Sequence, residues 1–295
     1  MIRSHEDVTP AVLAVMERTP DPRLREIMVA LVRHLHGFVL ETRLTEREFR
    51  AATALLAEMG QMCTDTHQEF VLMAGSLGVS ALVCLLNNGG GGTRETNQNQ
   101  LGPFWRMHAP HVENGGTIVR SATPGEALFV NARVVDRSGR PVAGAEVDIW
   151  QAAPSGMYEN QDPAQAEMNL RGTFVTDEDG RFWFRSVMMA GYPIPVDTVV
   201  GRLLAAQRRH PFRPAHLHAL IATPGYKVLV SQVYDSADPN IDDDVQFGVT
   251  RATLGDFVRH QQPHPAAGDI GVWHALDHTY VLEAGTMERP KPPIR

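Results

Sequence analysis

The sequence predicts a mainly β protein: an antiparallel β-sandwich domain preceded by an α-helical N-terminal domain. Three observations predict it. Apolar residues recur at three- and four-residue steps up to about Asn88 and at two-residue steps beyond Leu101. Between them, "NNGGGGTRETNQNQ" (Asn87 to Gln100) has no periodicity and reads as a linker or exposed loop. The later alternating runs are short and punctuated by Gly, Pro and Asp, without long helices between them, as in a sandwich. The expected boundaries are residues 1–100 for the helical domain and linker and 101–295 for the sandwich.

The first strong helix starts at "DPRLREIMVALVRHLHGFV", with Asp21 as N-cap and Pro22 at the first helical position. Leu24, Ile27, Met28, Leu31, Leu35, Phe38 and Val39 form its apolar stripe. "TEREF" is a capping box, Thr45 capping and Glu48 reaching back, and Phe49, Ala52, Leu55, Leu56 and Met59 continue that helix. A third helix is expected from about Thr66 to Leu86, with Phe70, Met73, Leu77, Ala81 and Cys84 on one side. These stripes exceed what a small sandwich edge covers, so a homodimer through these helices is expected. The glycine run lacks the preceding strand and following Gly-Lys-Ser/Thr of a phosphate loop.

"ALFVNARVVD" opens the strands, and "AEVDIW" resumes after the turn "DRSGRP". "GTFVTDEDGRFWFRS" reads as a hairpin around Asp179-Gly180. "PAHLHALIA", "KVLVSQVYD" and "HTYVLEA" supply further strands.

Composition narrows the function. A net charge of −7 argues against a nucleic-acid partner. No run of eighteen apolar residues occurs, and "MIRSHEDVTPAV" lacks the apolar core of a secretory signal. Cys63 and Cys84 make neither a disulfide framework nor a thiolate cluster. A cytoplasmic protein is expected.

Chemistry concentrates in "RPAHLH". On a strand, His216 and His218 point the same way with Cβ atoms about 7 Å apart. They read either as a metal grip or as two polar positions on a solvated face. "GMYENQ" and "AGYPIP" add Tyr158 and Tyr192 in glycine-containing turns. Imidazole suits zinc, copper, iron and nickel alike. Phenol, with a pKa near 10, binds divalent ions poorly at neutral pH, whereas a trivalent, oxygen-seeking ion stabilises the phenolate. Two other readings stay open, of which only the first uses His216 and His218. One is a zinc hydrolase taking an aspartate from "YDSADPNIDDD"; the other is a non-catalytic, transthyretin-like binding module suggested by "NARVVDRSGRPVAGAEVDIW".

Taken in order, "TEREF", "QEFVL", "LGVSALV", "LGPFW", "GMYENQ", "GYPIP", "HPFRPAHLH" and "DPNIDDDVQFG" resemble the intradiol ring-cleaving dioxygenases, in the hydroxyquinol and catechol 1,2-dioxygenase branch. The resemblance covers nearly the whole chain. It implies cleavage of a catechol-type ring between its hydroxyls with O2, in aromatic catabolism, at one Fe(III) per chain. Tyr158, Tyr192, His216 and His218 would be the iron ligands, with Tyr192 the tyrosine released when substrate binds. Arg213 and Gln232 would flank the ring, Arg213 stabilising negative charge there unless it is spent on a salt bridge to Asp197 or another carboxylate. Leu72, Gly75, Leu101, Gly102, Pro103 and Phe104 would line the pocket. The family also implies phospholipid between paired helical domains. Two departures stand out: Thr198-Val199 replaces a frequent Gly-Pro, and Gly75 stands where hydroxyquinol enzymes carry an acid near the ring. The missing side chain is expected to leave room for a larger or substituted catechol.

Overall fold

Helix starts fall where capping chemistry puts them. In the computed structural model, which describes residues 1–64, 67–87, 95–268 and 270–291, helix α2 (Pro22–Thr42) begins after Asp21, whose carboxylate accepts from Leu24 N at 2.9 Å. Helix α3 (Glu46–Met62) begins after Thr45, with Thr45 N donating to Glu48 and Glu48 N to Thr45 Oγ1. A helix that the sequence reading did not anticipate, α1 (Val8–Met16), packs on α2, and Thr9 Oγ1 meets His36 Nδ1 at 2.8 Å. The chain divides into two compact units, Met1–Glu58 and Met59–Arg295.

The third expected helix is two. Helices α4 (Glu69–Ser76) and α5 (Val79–Asn87) are bent by 78° at Leu77-Gly78, and Thr66, its expected start, lies outside the described residues. Gly78 has φ +74°, a conformation that ends a right-handed helix cheaply only at glycine. Apolar spacing continues across the bend, so periodicity alone joined the two. No single helix among the described residues is long and apolar enough to cross a membrane.

The sheets form the expected sandwich. One has the order β3-β2-β7-β8-β9, from β2 (Glu146–Gln151), β3 (Arg171–Val175), β7 (His216–Ala222), β8 (Leu229–Asp235) and β9 (Leu254–Gly255). The other has the order β10-β11-β1-β4, from β1 (Ala127–Asp136), β4 (Arg181–Val187), β10 (Val258–His260) and β11 (Trp273–Leu282). A two-stranded ladder pairs β5 (Tyr192–Pro193) with β6 (Phe212–Arg213). Pairing is antiparallel except for β1 with β11 and β8 with β9, so the sheets are mixed. Neither parallel pair is joined by a tight turn, and nothing forces those strands to reverse direction. Val130 and Val134 of β1, Val147 and Ile149 of β2, and Leu217, Ala219 and Ile221 of β7 meet in the core between the sheets.

Two further expectations change. "GTFVTDEDGRFWFRS" is not a hairpin: β3 pairs with β2, β4 pairs with β1, and the turn carries the chain from one sheet to the other. Phe174 and Phe184 meet across the core at 4.9 Å, so alternation is preserved although the strands do not pair. The glycine run lies outside the described residues, but Glu95, Thr96, Asn97 and Asn99 are buried rather than in an exposed linker. Thr96 N donates to Val281 O and Asn99 N to Val230 O, so this polar segment is bonded into the sheets.

Helix α6 (Val199–Ala206) also went unread. Thr198 caps it, accepting from Gly201 N at 3.1 Å, which accounts for the Thr-Val departure. Buried Glu69 accepts from Val200 N at 2.7 Å and meets His67 Nε2 at 2.7 Å, tying α4 to the start of α6.

Candidate metal centre

Alternation along β7 sends Leu217 and Ala219 into the core and turns His216 and His218 to the other face of the sheet. That face is not solvated, because each histidine is only 2% exposed. Sheet register builds the surroundings. Trp150 and Gln232 lie opposite His218 on the flanking strands, and Tyr234 lies opposite His216. The Trp150 ring stacks on His218 at 4.6 Å.

The tyrosines arrive from two turns. Gly156, at φ +81°, turns the chain back so that Tyr158 points inward, and a Cβ on Gly156 would lie 3.1 Å from Tyr192 Cβ. Tyr192 is fixed by the β5–β6 ladder, opposite Arg213. The four polar atoms close a ring. Tyr158 Oη to Tyr192 Oη is 3.2 Å, Tyr192 Oη to His216 Nε2 is 3.4 Å, His216 Nε2 to His218 Nε2 is 3.1 Å, and His218 Nε2 to Tyr158 Oη is 3.1 Å. Neighbouring ligands of an ion bound at roughly 2.0–2.2 Å stand about 3 Å apart, so the set fits a metal ion.

Protonation fits as well. Burial, then the nearby Arg213 charge, pulls His216 down to about 3. Burial and then His216 hold His218 well below the usual histidine range. Both imidazoles are therefore neutral. His216 Nδ1 lies 2.7 Å from Pro214 O, and with the proton there Nε2 presents its lone pair to the ring of donors. Burial raises Tyr158 well above the usual phenol range and raises Tyr192 less. A cation at the centre is what would make two such phenols ionise.

Arg213 borders this ring. Its Nη1 lies 3.5 Å from His216 Nε2, while Nε and Nη2 each reach Asp244 at 3.2 Å. Nη2 also donates to Gln232 Oε1 at 3.0 Å and to the Tyr234 hydroxyl. The carboxylate partner is thus Asp244, not Asp197. Burial works against the guanidinium charge, yet Asp244, Tyr234 and Tyr192 outweigh it. The salt bridge holds Arg213 in place beside the ring of donors.

Among the expected pocket residues, Phe104 stacks on Tyr158 at 4.4 Å, and Leu101 packs against the apolar cluster that contains Trp105, Tyr158 and Tyr192. A Cβ on Gly102 would lie 3.5 Å from His218 Cε1. Leu72 is half-buried on α4, Gly75 is buried there, and Pro103 is exposed. Room at position 75 is absent, because the Gln246 amide occupies it.

Sequence reading missed Trp150, Tyr234, Asp244 and the Glu159–Arg171 pair. Arg171 and Glu159 are both buried and paired at 2.7 Å, and Arg106 reaches the same carboxylate at 2.9 Å. Arg171 also donates to Phe104 O, clamping the Tyr158 turn to the Phe104 segment. Glu159 was in view, adjacent to Tyr158; its partners come from residues 53 and 12 positions away. The zinc-hydrolase aspartate is not delivered. Asp238 accepts from Ala215 N, Asp244 holds Arg213, and no group of three His, Cys, Asp or Glu among the described residues is placed to hold a metal ion.

Residues 21–90 match the family model for the catechol dioxygenase N terminus, and residues 101–275 match the dioxygenase model. The chain is 43% identical over 277 residues to hydroxyquinol 1,2-dioxygenase of Rhizobium sp., covering 92% of each chain. It is 44% identical over 255 residues to 6-chlorohydroxyquinol 1,2-dioxygenase of Cupriavidus pinatubonensis, covering 86% of this chain and 91% of that one. The crystal structure of hydroxyquinol 1,2-dioxygenase from Pseudomonas putida superposes with TM-score 0.87 at 38% identity, over 95% of this chain and 99% of that one. This chain therefore belongs to the intradiol ring-cleaving dioxygenases, enzymes that open catechol-type rings with O2.

Proposed function

We propose that this enzyme cleaves hydroxyquinol, with substituted catechols as secondary substrates, at one ferric ion held by Tyr158, Tyr192, His216 and His218. The observation that carries the proposal is the closed ring of four donor atoms at 3.1 to 3.4 Å. Two phenolates and two neutral imidazoles leave such an ion a net charge near +1. Bound there, such an ion would supply the Lewis acidity that draws electron density from the substrate ring and makes it reactive toward O2.

The chain's own residues then have defined tasks. Tyr192 Oη takes a proton from a substrate hydroxyl as the ring binds; among the two tyrosines, it is the one beside Arg213. Arg213, locked by Asp244, Gln232 and Tyr234, presents fixed positive charge where negative charge develops on the ring. Gln232 aligns His218 and Arg213 together, standing 3.2 Å from His218 Nδ1. Leu101, Gly102 and Phe104 wall the ring beside the metal, Leu72 approaches it from α4, Gly75 contributes only through the Gln246 amide packed on it, and Pro103 is at the rim.

The proposal extends to assembly. On α2, Leu24, Ile27, Leu31, Leu35, Phe38 and Val39 are between 42% and 53% exposed in the single chain. An apolar stripe of this length is suited to a second copy of the chain, and acyl chains of a phospholipid would suit the same surface. The functional boundary then falls near residue 100, ahead of the segment that walls the ring.

Oxygen uptake with a panel of catechols, hydroxyquinol included, and spectra of the products test the reaction. Uptake fastest with hydroxyquinol, yielding a ring-opened dicarboxylate, is expected. No uptake with any catechol by iron-loaded protein would refute it.

A further inference from the structure

Position 75 has no side chain, yet the space beside it is not empty. A Cβ built on Gly75 would fall 1.7 Å from Gln246 Oε1 and 2.7 Å from Gln246 Cδ. It would also lie 3.2 Å from Gln100 Oε1. An amide arriving from the 244–248 turn therefore fills the place that a residue on α4 would occupy.

That amide is held in place. Gln246 is 6% exposed, and its Nε2 donates to Ser76 Oγ at 2.9 Å. The acceptor end, Oε1, is thus the one turned toward Gly75. Asp244 builds the turn that delivers it, accepting from Gln246 N at 3.2 Å and Gly248 N at 2.9 Å as well as from Arg213. Gln100 completes the link to the metal centre. Its Nε2 donates to Gln246 O at 2.9 Å, its own carbonyl accepts from Gln232 Nε2 at 2.8 Å, and Gln232 stands against His218. Amide groups thus run from His218 of the donor ring to position 75.

We propose that Gln246 is the specificity-determining residue of this pocket, its Oε1 accepting the hydrogen bond of the third hydroxyl of a trihydroxybenzene. This rests on the ring-pocket reading above and adds to it the group that recognises the extra hydroxyl. A neutral amide acceptor takes the position that an acidic side chain at residue 75 would otherwise serve. A pocket that pairs a substrate hydroxyl rejects the analogue lacking it, because the buried partner is then left unsatisfied. The presence of Gln246 therefore favours hydroxyquinol over catechol despite the glycine at 75.

The test compares kcat/KM for hydroxyquinol and for catechol in the wild type, Gln246→Leu, Gly75→Ala and the double variant, each matched for iron content. Gln246→Leu keeps the bulk and removes the acceptor, so the hydroxyquinol-to-catechol ratio should fall roughly 3- to 10-fold. Gly75→Ala puts a methyl where Oε1 stands, displaces the amide, and should lower the ratio in the same direction. The double variant should go no further than the larger single effect, because both changes remove one contact. A purely structural role would lower both rates and leave the ratio alone. The two single variants act from opposite sides of the contact, so either one that folds decides the matter. A wild type active on these rings, with the ratio unchanged in the folded variants, would overturn the assignment to Gln246 alone. A wild type that cleaves neither ring would overturn the pocket reading and this assignment with it.

Discussion

Tyr158 and Tyr192 are the residues on which the chemistry turns, since neutral phenols would serve a packed core equally well. Their surroundings make them unequal: Tyr158 is 1% exposed under Phe104, while Tyr192 is 8% exposed and paired with Arg213. Tyr158→Phe should lose bound iron and lower kcat at least about 100-fold, because no substrate group replaces that phenolate. Tyr192→Phe should keep iron better and lose the step that takes up the substrate proton. Metal content and turnover of both variants check this, and full turnover in both would be incompatible with the ligand set. Strand alternation put His216 and His218 on one face in the sequence alone, whereas the turn glycines only located Tyr158 and Tyr192, and the family resemblance is what joined the four. Asp244, Tyr234 and Trp150 left no local trace, because each meets its partner across strands or from a distant loop.

At the scale of elements, capping predicted helix starts well and spacing predicted helix ends poorly. The capping residues act on their own first turn, whereas the break at Gly78 lies inside an uninterrupted apolar pattern. The false hairpin at Asp179-Gly180 has a similar origin, since alternation records which face is apolar and not which strand is adjacent. Helix α6 shows the value of a long-range cap. Glu69 reaches from α4 to Val200 N, buried and at the positive end of the helix dipole. Glu69→Ala should remove this bond, orphan a buried N–H and cost about 1–3 kcal/mol of stability. Urea denaturation measures it, and an unchanged midpoint with an unchanged slope would mean that α6 does not depend on Glu69.

For the whole molecule, the sandwich and the helical start were legible, while pairing of chains is an expectation that rests on an excess of apolar surface. The exposed stripe on α2 turns that excess into an expectation: light scattering at micromolar concentration should give the mass of a dimer, and a strictly monomeric mass would count against pairing through these helices. Everything else rests on the proposed metal centre, where His216 and His218 are buried, held toward the neutral form and aimed with two phenols at one point. The visible spectrum of the purified protein, with metals quantified in the same sample, tests that centre most directly. A red-brown protein with tyrosinate-to-iron absorption and about one iron per chain is the expected result, since two phenolates favour a trivalent ion. A colourless, active protein carrying stoichiometric zinc would contradict it.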